Sequence, residues 1–415
     1  MIDKICFFVL TFISGSLYCQ YTSIPDNNFE QALIYLDLDD EIDGLVLTEN
    51  IDTLKTLHVP RMAIASLSGI EDFTALENLN CEINYLDYLN LTSNTNLIYL
   101  TCSFNYIDRI DLGHNPNLLK LICSDNQLSF IDLSGCENLY YLQCSSNLFT
   151  SIDISANPNL HKLKCGKNYL RGLDVSSQSH LLLLSCRFNE ISALDLSNNS
   201  LLTSLECENN YINELDLTIT PNLEFLNCSH NPLSSLDLSQ NLALRFINCS
   251  HSDITTLNLD HNSKLDVVKS VGTELNSLSI RNGNNENIES EFDFFIRDNP
   301  NLYCIAVDNP TYSENAWTEV DEIVSFRENC NTLTATSSTV INYQIYPNPA
   351  KEFLTIEIEQ KADQFSLHDL SGKEIRSGHL NQGSNSINLE EMAPGLYILH
   401  IAGEGISLNE RIVIE

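Results

Sequence analysis

Apolar positions recur along most of this chain with a fixed period. Leucine or isoleucine stands five and two residues before each of nine cysteines, as in Leu118-x-x-Leu121-x-Cys123. Those cysteines, Cys81, Cys102, Cys123, Cys144, Cys165, Cys186, Cys207, Cys228 and Cys249, are spaced by 21 residues without a slip. An asparagine follows three residues later in nearly every period (Asn84, Asn105, Asn126, Asn147, Asn168, Asn189, Asn210, Asn231), and Ser252 breaks the series. A second pattern completes the period, as in Ile131-Asp132-Leu133-Ser134 and Leu236-Asp237-Leu238-Ser239. Alternation over such short runs predicts short strands, L-x-C and L-D-L, whose apolar residues point inward. Recurrence at a fixed period predicts a repeat solenoid of 21-residue coils with short parallel strands on two sides. Stacked at roughly 4.8 Å per coil, ten coils would span about 48 Å. The asparagine falls where the chain must turn, and its amide can bond the buried backbone of adjacent coils.

The pattern changes at both ends. Ile24-Pro25-Asp26 precedes Phe29, Ala32, Leu33 and Leu36 at helical spacing, which predicts an entry cap with Asp26 as helix N-cap. The first coil, Leu54 to Phe73, is degenerate, with Val59 lying 22 residues before Cys81. Beyond Leu302 lies an exit cap that holds the only tryptophan, Trp317. Past 341, alternating segments such as Leu396-Tyr397-Ile398-Leu399-His400-Ile401, separated by Gly and Asn turns, predict a small β-sandwich. Lys4 followed by the apolar run from Ile5 to Ile13 reads as an export signal, cleaved near Cys19 or Gln20. That run is far shorter than the ~20 residues of a membrane span. No other stretch predicts a transmembrane segment. The expected organisation is therefore a signal peptide (1–19), an N-terminal cap (20–53), a solenoid (54–301), a C-terminal cap (302–331), a polar linker (332–340) and an all-β domain (341–415).

The repeat L-x-x-L-x-C-x-x-N-x-[LI] resembles the leucine-rich-repeat family over about residues 54–302. The doubled form, with L-x-x-L-D-L-S-x-N in its second half, is similar to the bacterial IRREKO subclass. Residues 341–415 resemble the type A C-terminal sorting domain of type IX secretion substrates from Bacteroidetes, an immunoglobulin-like sandwich. The resemblance is carried by Tyr346-Pro347-Asn348-Pro349-Ala350, Leu354-Thr355-Ile356, Asp369-Leu370-Ser371-Gly372-Lys373 and Met392-Ala393-Pro394-Gly395-Leu396-Tyr397. It implies export by the type IX machinery, so a secreted or outer-membrane-surface protein. In many relatives the domain is then removed, or the protein attached to surface glycolipid. The ending Arg411-Ile412-Val413-Ile414-Glu415 lacks the terminal lysine many members carry.

Composition narrows the function. A hydrophobic content of 43% supplies a core, and a net charge of −35 repels phosphate backbones, which excludes nucleic acid as a partner. There is no phosphate loop, H-E-x-x-H, G-x-S-x-G or C-x-x-C, and no paired catalytic constellation, so an enzyme is not expected. The nine ladder cysteines occupy inward positions and read as small buried hydrophobes, and Cys136 as a turn residue. Cys304 and Cys330 bracket Trp317 beyond the repeats, and in an exported protein they are expected to form a disulfide. No cofactor is expected. Asp39-x-Glu41-x-Asp43-Gly44 has the opening of a calcium loop, but Asn50 stands where the last glutamate belongs, and the alternative is an acidic loop leaving the cap helix. His230 and His251, one period apart, lack a third zinc ligand. The column Asp111, Asp132, Asp153, Asp174, Asp195, Asp216 and Asp237 could hold cations or simply stay solvated.

Binding surfaces vary where scaffolds repeat. The residue before the second leucine runs Tyr99, Lys120, Tyr141, Lys162, Leu183, Ser204, Phe225, Phe246. Outward aromatics and lysines on a rigid sheet are typical contact residues. Lys162, Lys164, Lys167 and Arg171 gather positive charge on one coil. The expected function is a binding protein for an extracellular protein or glycan, the alternative a structural surface component without a discrete ligand.

Overall fold

The computed structural model describes residues 20–288, 293–330, 343–358, 364–369, 373–390, 392–403 and 406–415. The expected signal peptide and the linker lie outside the described residues. The chain divides into two compact units, 1–328 and 329–415.

The first unit opens with Tyr21–Ser23 paired antiparallel to Leu45–Leu47. Between them runs the helix Asn27–Tyr35. Asp26 caps it, Oδ1 accepting the Asn28 and Phe29 N–H at 2.9 and 3.0 Å. Such a cap contributes about 1 kcal/mol. The other carboxylate oxygen accepts from Ala65 and Ser66, so the same side chain ties the cap to the first coil. Phe29, Ala32 and Leu33 are buried, and Phe29 stacks on Phe73 at 6.0 Å.

Roughly thirteen coils follow. One side of the coils contributes short strands to a 12-stranded parallel sheet, three residues each from Thr56–His58 through Lys162–Lys164 and two in the last, Phe294–Phe295. The central residue of each strand is buried: Leu100, Leu121, Leu142, Leu163 and their equivalents. The nine ladder cysteines, each just beyond a strand, are buried too, at the expected inward position. The ladder cysteines and Cys136 are free thiols. Burial pushes Cys81 and Cys123 up to about 12 and Cys136 and Cys249 up to about 11, and holds the others well above the ordinary thiol value. None is a thiolate at neutral pH.

After each cysteine the chain turns through a left-handed residue. The column includes Ile83, Phe104, Asp125, Ser146, Lys167, Phe188, Asn209, His230 and His251, with φ of 54–56°. For residues other than glycine this conformation costs roughly 1–2 kcal/mol. Hydrogen bonds to the next coil hold it, as in Ile83 N to Ser103 O at 2.9 Å. The following asparagine completes the turn. Asn147 Nδ2 donates to the Cys123 and Cys144 carbonyls at 3.0 and 3.1 Å, and its Oδ1 accepts from Leu128 N at 3.0 Å. From Cys81 to Cys207 each cysteine carbonyl thereby takes two amides, one from its own coil and one from the next. At the break, Ser252 Oγ still donates to Cys249 O, while Leu233 N turns to Asn231 O.

The second side is stranded in two stretches. Tyr88–Asn90 pairs with Arg109–Asp111 near the start. A four-stranded sheet of Thr256–Asn258, Ser277–Ile280, Cys304–Val307 and Ser325–Arg327 lies at the far end. Between them the Leu-Asp-Leu segments alternate buried and exposed without ladder bonds. There a second amide column (Asn94, Asn115, Asn157, Gln178, Asn199, Asn241, Asn262) donates to carbonyls of the preceding coil. Its carbonyl oxygens are buried without a partner. Cys136 and Thr220 occupy the same column.

Trp317 closes the exit. It is buried, stacks on Phe294 at 3.9 Å, meets Phe326 edge-on at 5.8 Å and donates Nε1–H to Ile288 O at 3.0 Å. The helix Pro310–Ala316 before it is capped by Asn309 and starts on proline, which has no N–H to leave unbonded. Cys304 and Cys330 are each disulfide-bonded.

The second unit is all-β and antiparallel. Tyr343–Tyr346, Phe353–Ile358 and Gly383–Asn388 make one sheet, and Glu374–His379, Gln364–His368, Gly395–Gly403 and Ile406–Ile414 the other. Leu354, Ile356, Ile358, Leu367, Leu399, Ile401 and Ile412 share its core.

Candidate binding face

Strand register sets Tyr99, Lys120, Tyr141, Lys162, Leu183, Ser204, Phe225 and Phe246 side by side in one row across the long sheet. All are at least partly exposed, because the buried central leucine of each strand forces its neighbours outward. The row is graded in chemistry. Lys120 Nζ lies 5.6 Å from the Tyr141 ring centre, within cation–π range. The Tyr141 hydroxyl donates to Gln143 Oε1. Further along, Phe225 and Phe246 stack at 4.3 Å with planes 7° apart.

Of the four basic residues expected to cluster, the structure brings two around one hollow. Lys164 and Lys167 line a concavity of about 260 Å³ with Asp125, Gln143, Ser185, Arg187 and Glu206 among its other walls. Lys162 stands in the neighbouring row, between Tyr141 and Leu183. Arg171 is drawn away to Glu190, at 3.3 Å. Among the described residues, no carboxylate lies within ion-pair distance of Lys162, Lys164 or Lys167. Arg187 lies 3.5 Å from Glu208 and 4.0 Å from Glu206, and Ser185 Oγ donates to Glu206 at 3.0 Å. Burial raises the Glu208 carboxyl. Gly166 makes room for this arrangement: a Cβ there would lie 2.9 Å from both Arg187 Cγ and Arg187 O. Sequence reading passed over Arg187 and Glu206, although they sit one and two coils along from Gly166 and Lys164 at the same phase of the repeat.

The other candidate sites resolve into local structure. The loop holding Asp39, Glu41 and Asp43 is organised by Glu30, whose buried Oε1 accepts the N–H groups of Asp43, Gly44 and Leu45. Asp43 Oδ1 accepts from Leu45 N and Asp39 Oδ1 from Asp40 N. Among the described residues no three His, Cys, Asp or Glu side chains converge as a metal-binding group, there or elsewhere. His230 and His251 stack at 4.3 Å, and burial together with the neighbouring ring lowers the His230 pKa. The aspartate column closes turns: Asp132, Asp153, Asp174, Asp195, Asp216 and Asp237 each accept the N–H two residues ahead at 2.9–3.0 Å. Asp111 instead takes the Tyr88 hydroxyl and Arg109.

A family model described as a secretion system C-terminal sorting domain matches residues 344–415. No curated protein matches the chain. Among solved structures, the functional domain of InlJ from Listeria monocytogenes, which includes a cysteine ladder, is similar at 24% identity and TM-score 0.64. That match covers 95% of this chain and 99% of the other. The internalin InlF from Listeria monocytogenes is similar at 21% identity and TM-score 0.51, covering 72% of this chain and 92% of its own. The LRIM1/APL1C complex gives 18% identity, TM-score 0.53, and coverages of 68% and 57%. Likeness at these identities shows the fold alone, a parallel β-solenoid of roughly 21-residue coils like those of leucine-rich-repeat proteins, while the sorting domain rests on the family model. The sorting domain directs the protein to the exterior or the outer-membrane surface. No helix among the described residues is long and apolar enough to cross a membrane.

Proposed function

We propose that the protein is a non-enzymatic surface binding protein, delivered by type IX secretion, whose long sheet contacts an extracellular partner. The observation that carries this reading is the row from Tyr99 to Phe246, with Lys162, Lys164 and Lys167 displayed unpaired in a chain of net charge −35. Unpaired cations in such a field steer an anionic partner to one place. Stacked Phe225 and Phe246 supply the apolar contact that a charged patch lacks. The rest of the fold serves rigidity: each outward side chain stands on a strand whose centre is buried.

The test is a protein and glycan array probed with the full chain, followed by affinity measurements on the hit. Lys162→Glu combined with Lys164→Glu should weaken binding several-fold without lowering thermal stability, since neither lysine is buried. Unchanged affinity in a stably folded double variant, or no hit at all, would overturn the lysine face. Lost stability would mean that the lysines chiefly offset nearby carboxylates.

A further inference from the structure

A second surface lies at the entrance rim of the same sheet. Glu77, Ile98, Leu119, Tyr140 and His161 immediately precede successive strands, and Asn96, Asn117, Asn138 and Asn159 stand two residues before the last four of them. Together they line an open groove of about 460 Å³ that crosses five coils. Four coil steps give it a length of roughly 19 Å. Its floor is apolar (Ile98, Leu119) and ends at Tyr140, whose ring stacks on His161 at 4.3 Å.

The polar groups are organised in one sense. Asn96 and Asn138 donate Nδ2–H to the Thr74 and Pro116 carbonyls at 2.9 Å, and Asn159 donates to Glu137 O at 3.3 Å. Asn159 also donates to Asn138 Oδ1 at 3.4 Å, so among the described residues the Oδ1 atoms of Asn96 and Asn159 and the whole Asn117 amide are the ones without a partner. His161 Nδ1 lies 2.7 Å from Asn159 O. A carbonyl can only accept, so Nδ1 carries a proton. The one carboxylate, Glu77, is held by Lys55 at 2.8 Å. The rim backbone is already used: the Ile98, Leu119 and Tyr140 carbonyls each take two N–H groups from the next coil.

We infer that this groove binds an extended, neutral polysaccharide. Acceptors in a row over an apolar floor match a chain that carries many hydroxyl donors and apolar ring faces. A groove without a free cation, in a protein of this charge, disfavours an anionic polymer. With the Ile98, Leu119 and Tyr140 carbonyls already taken, a peptide could not pair with them as an added strand. This site adjoins the lysine row but is lined by different side chains.

Affinity electrophoresis of the full chain tests the inference, with gels containing a soluble β-glucan, a mannan or a xylan, and polygalacturonate as the anionic comparison. At least one neutral polymer should retard the protein. Tyr140→Ala combined with His161→Ala should weaken that interaction at least tenfold. Because the stacked pair could matter for folding, Asn117→Arg provides a second variant: it removes no bond, fills the groove and should abolish retardation while the melting temperature stays unchanged. Tyr211→Ala, an exposed aromatic on another turn, should behave as wild type. Retardation by polygalacturonate alone, by none of the polymers, or equally in the wild type and Asn117→Arg would overturn the inference.

Discussion

Replacing Asn147 with alanine isolates what one rung of the asparagine ladder contributes. The side chain makes bonds to Cys123 O, Cys144 O and Ser145 O and accepts from Leu128 N. The two cysteine carbonyls keep other partners, Asn126 at 3.1 Å and Asn168 at 3.2 Å. Leu128 N–H keeps none, and it is buried. An orphaned buried donor costs about 1–3 kcal/mol and each lost neutral bond about 0.5–1.5, so Asn147→Ala should destabilise by about 2–4 kcal/mol. Asn147→Ser should be milder, about 1–2 kcal/mol, because Ser252 shows a hydroxyl bonding its own cysteine carbonyl while the upstream N–H finds another oxygen. Asn157→Ala should be milder still, about 1 kcal/mol, since it strands no N–H and removes an oxygen that is already unpartnered. Urea unfolding of the full chain followed by far-ultraviolet circular dichroism gives the order. Hydrogen exchange at Leu128 N–H reports the local lesion if coils unfold separately. The reasoning fails if Asn147→Ala lies within about 0.5 kcal/mol of wild type, inside the usual range for an inert surface change, or if Asn157→Ala is the most damaging.

Two further predictions concern ionisable groups. The ten free buried cysteines should resist a thiol reagent at pH 8 and all react after denaturation without reductant; peptide mapping should then yield Cys304 bridged to Cys330, and a bridge such as Cys144–Cys165 would refute the account. Hydrogen bonds from the Ser and Thr side chains and N–H groups lower the carboxyls of Asp132, Asp153, Asp174, Asp195, Asp216 and Asp237. Their folded pKa lies below the unfolded one, so the stability they add is complete above the unfolded value of about 3.9 and is lost as pH falls through the folded value. Urea midpoints should drop below pH 4, and less steeply in an Asp153→Asn, Asp174→Asn, Asp195→Asn variant; an identical slope in that variant would refute the assignment.

The regular part of the molecule was legible because one constraint repeats. A coil that stacks on a copy of itself must return the same side chain to the same place, so the cysteine, asparagine and leucine columns and the row from Tyr99 to Phe246 followed from spacing alone. Features depending on a single side chain's reach were not legible. Spacing placed Arg171 with the lysines, but its long side chain goes to Glu190. The acidic loop was legible as a loop leaving the cap helix, but not its organising acceptor, Glu30, buried on that helix. The left-handed column also escaped notice, because it holds Ile83, Phe104 and His230 where glycine or asparagine would have signalled the turn. The rim groove was hidden because its asparagines resemble ordinary turn residues. Only bond directions distinguish the inward amide nitrogen from the outward oxygen.

The bonding of each ladder asparagine to its own coil and the one before it has a hereditary consequence. A coil duplicated in frame presents the same cysteine carbonyl to the next asparagine and the same asparagine to the previous turn, so no bond in the array is lost. Deleting a coil heals in the same way. The gene can therefore lengthen or shorten this region by whole repeats while selection retains a folded product, and each copy adds one residue to the outward row and one step to the rim. That freedom stops at Ser252, past which the turns no longer share one rule, and lineages of this protein should differ in coil number upstream of that residue rather than beyond it.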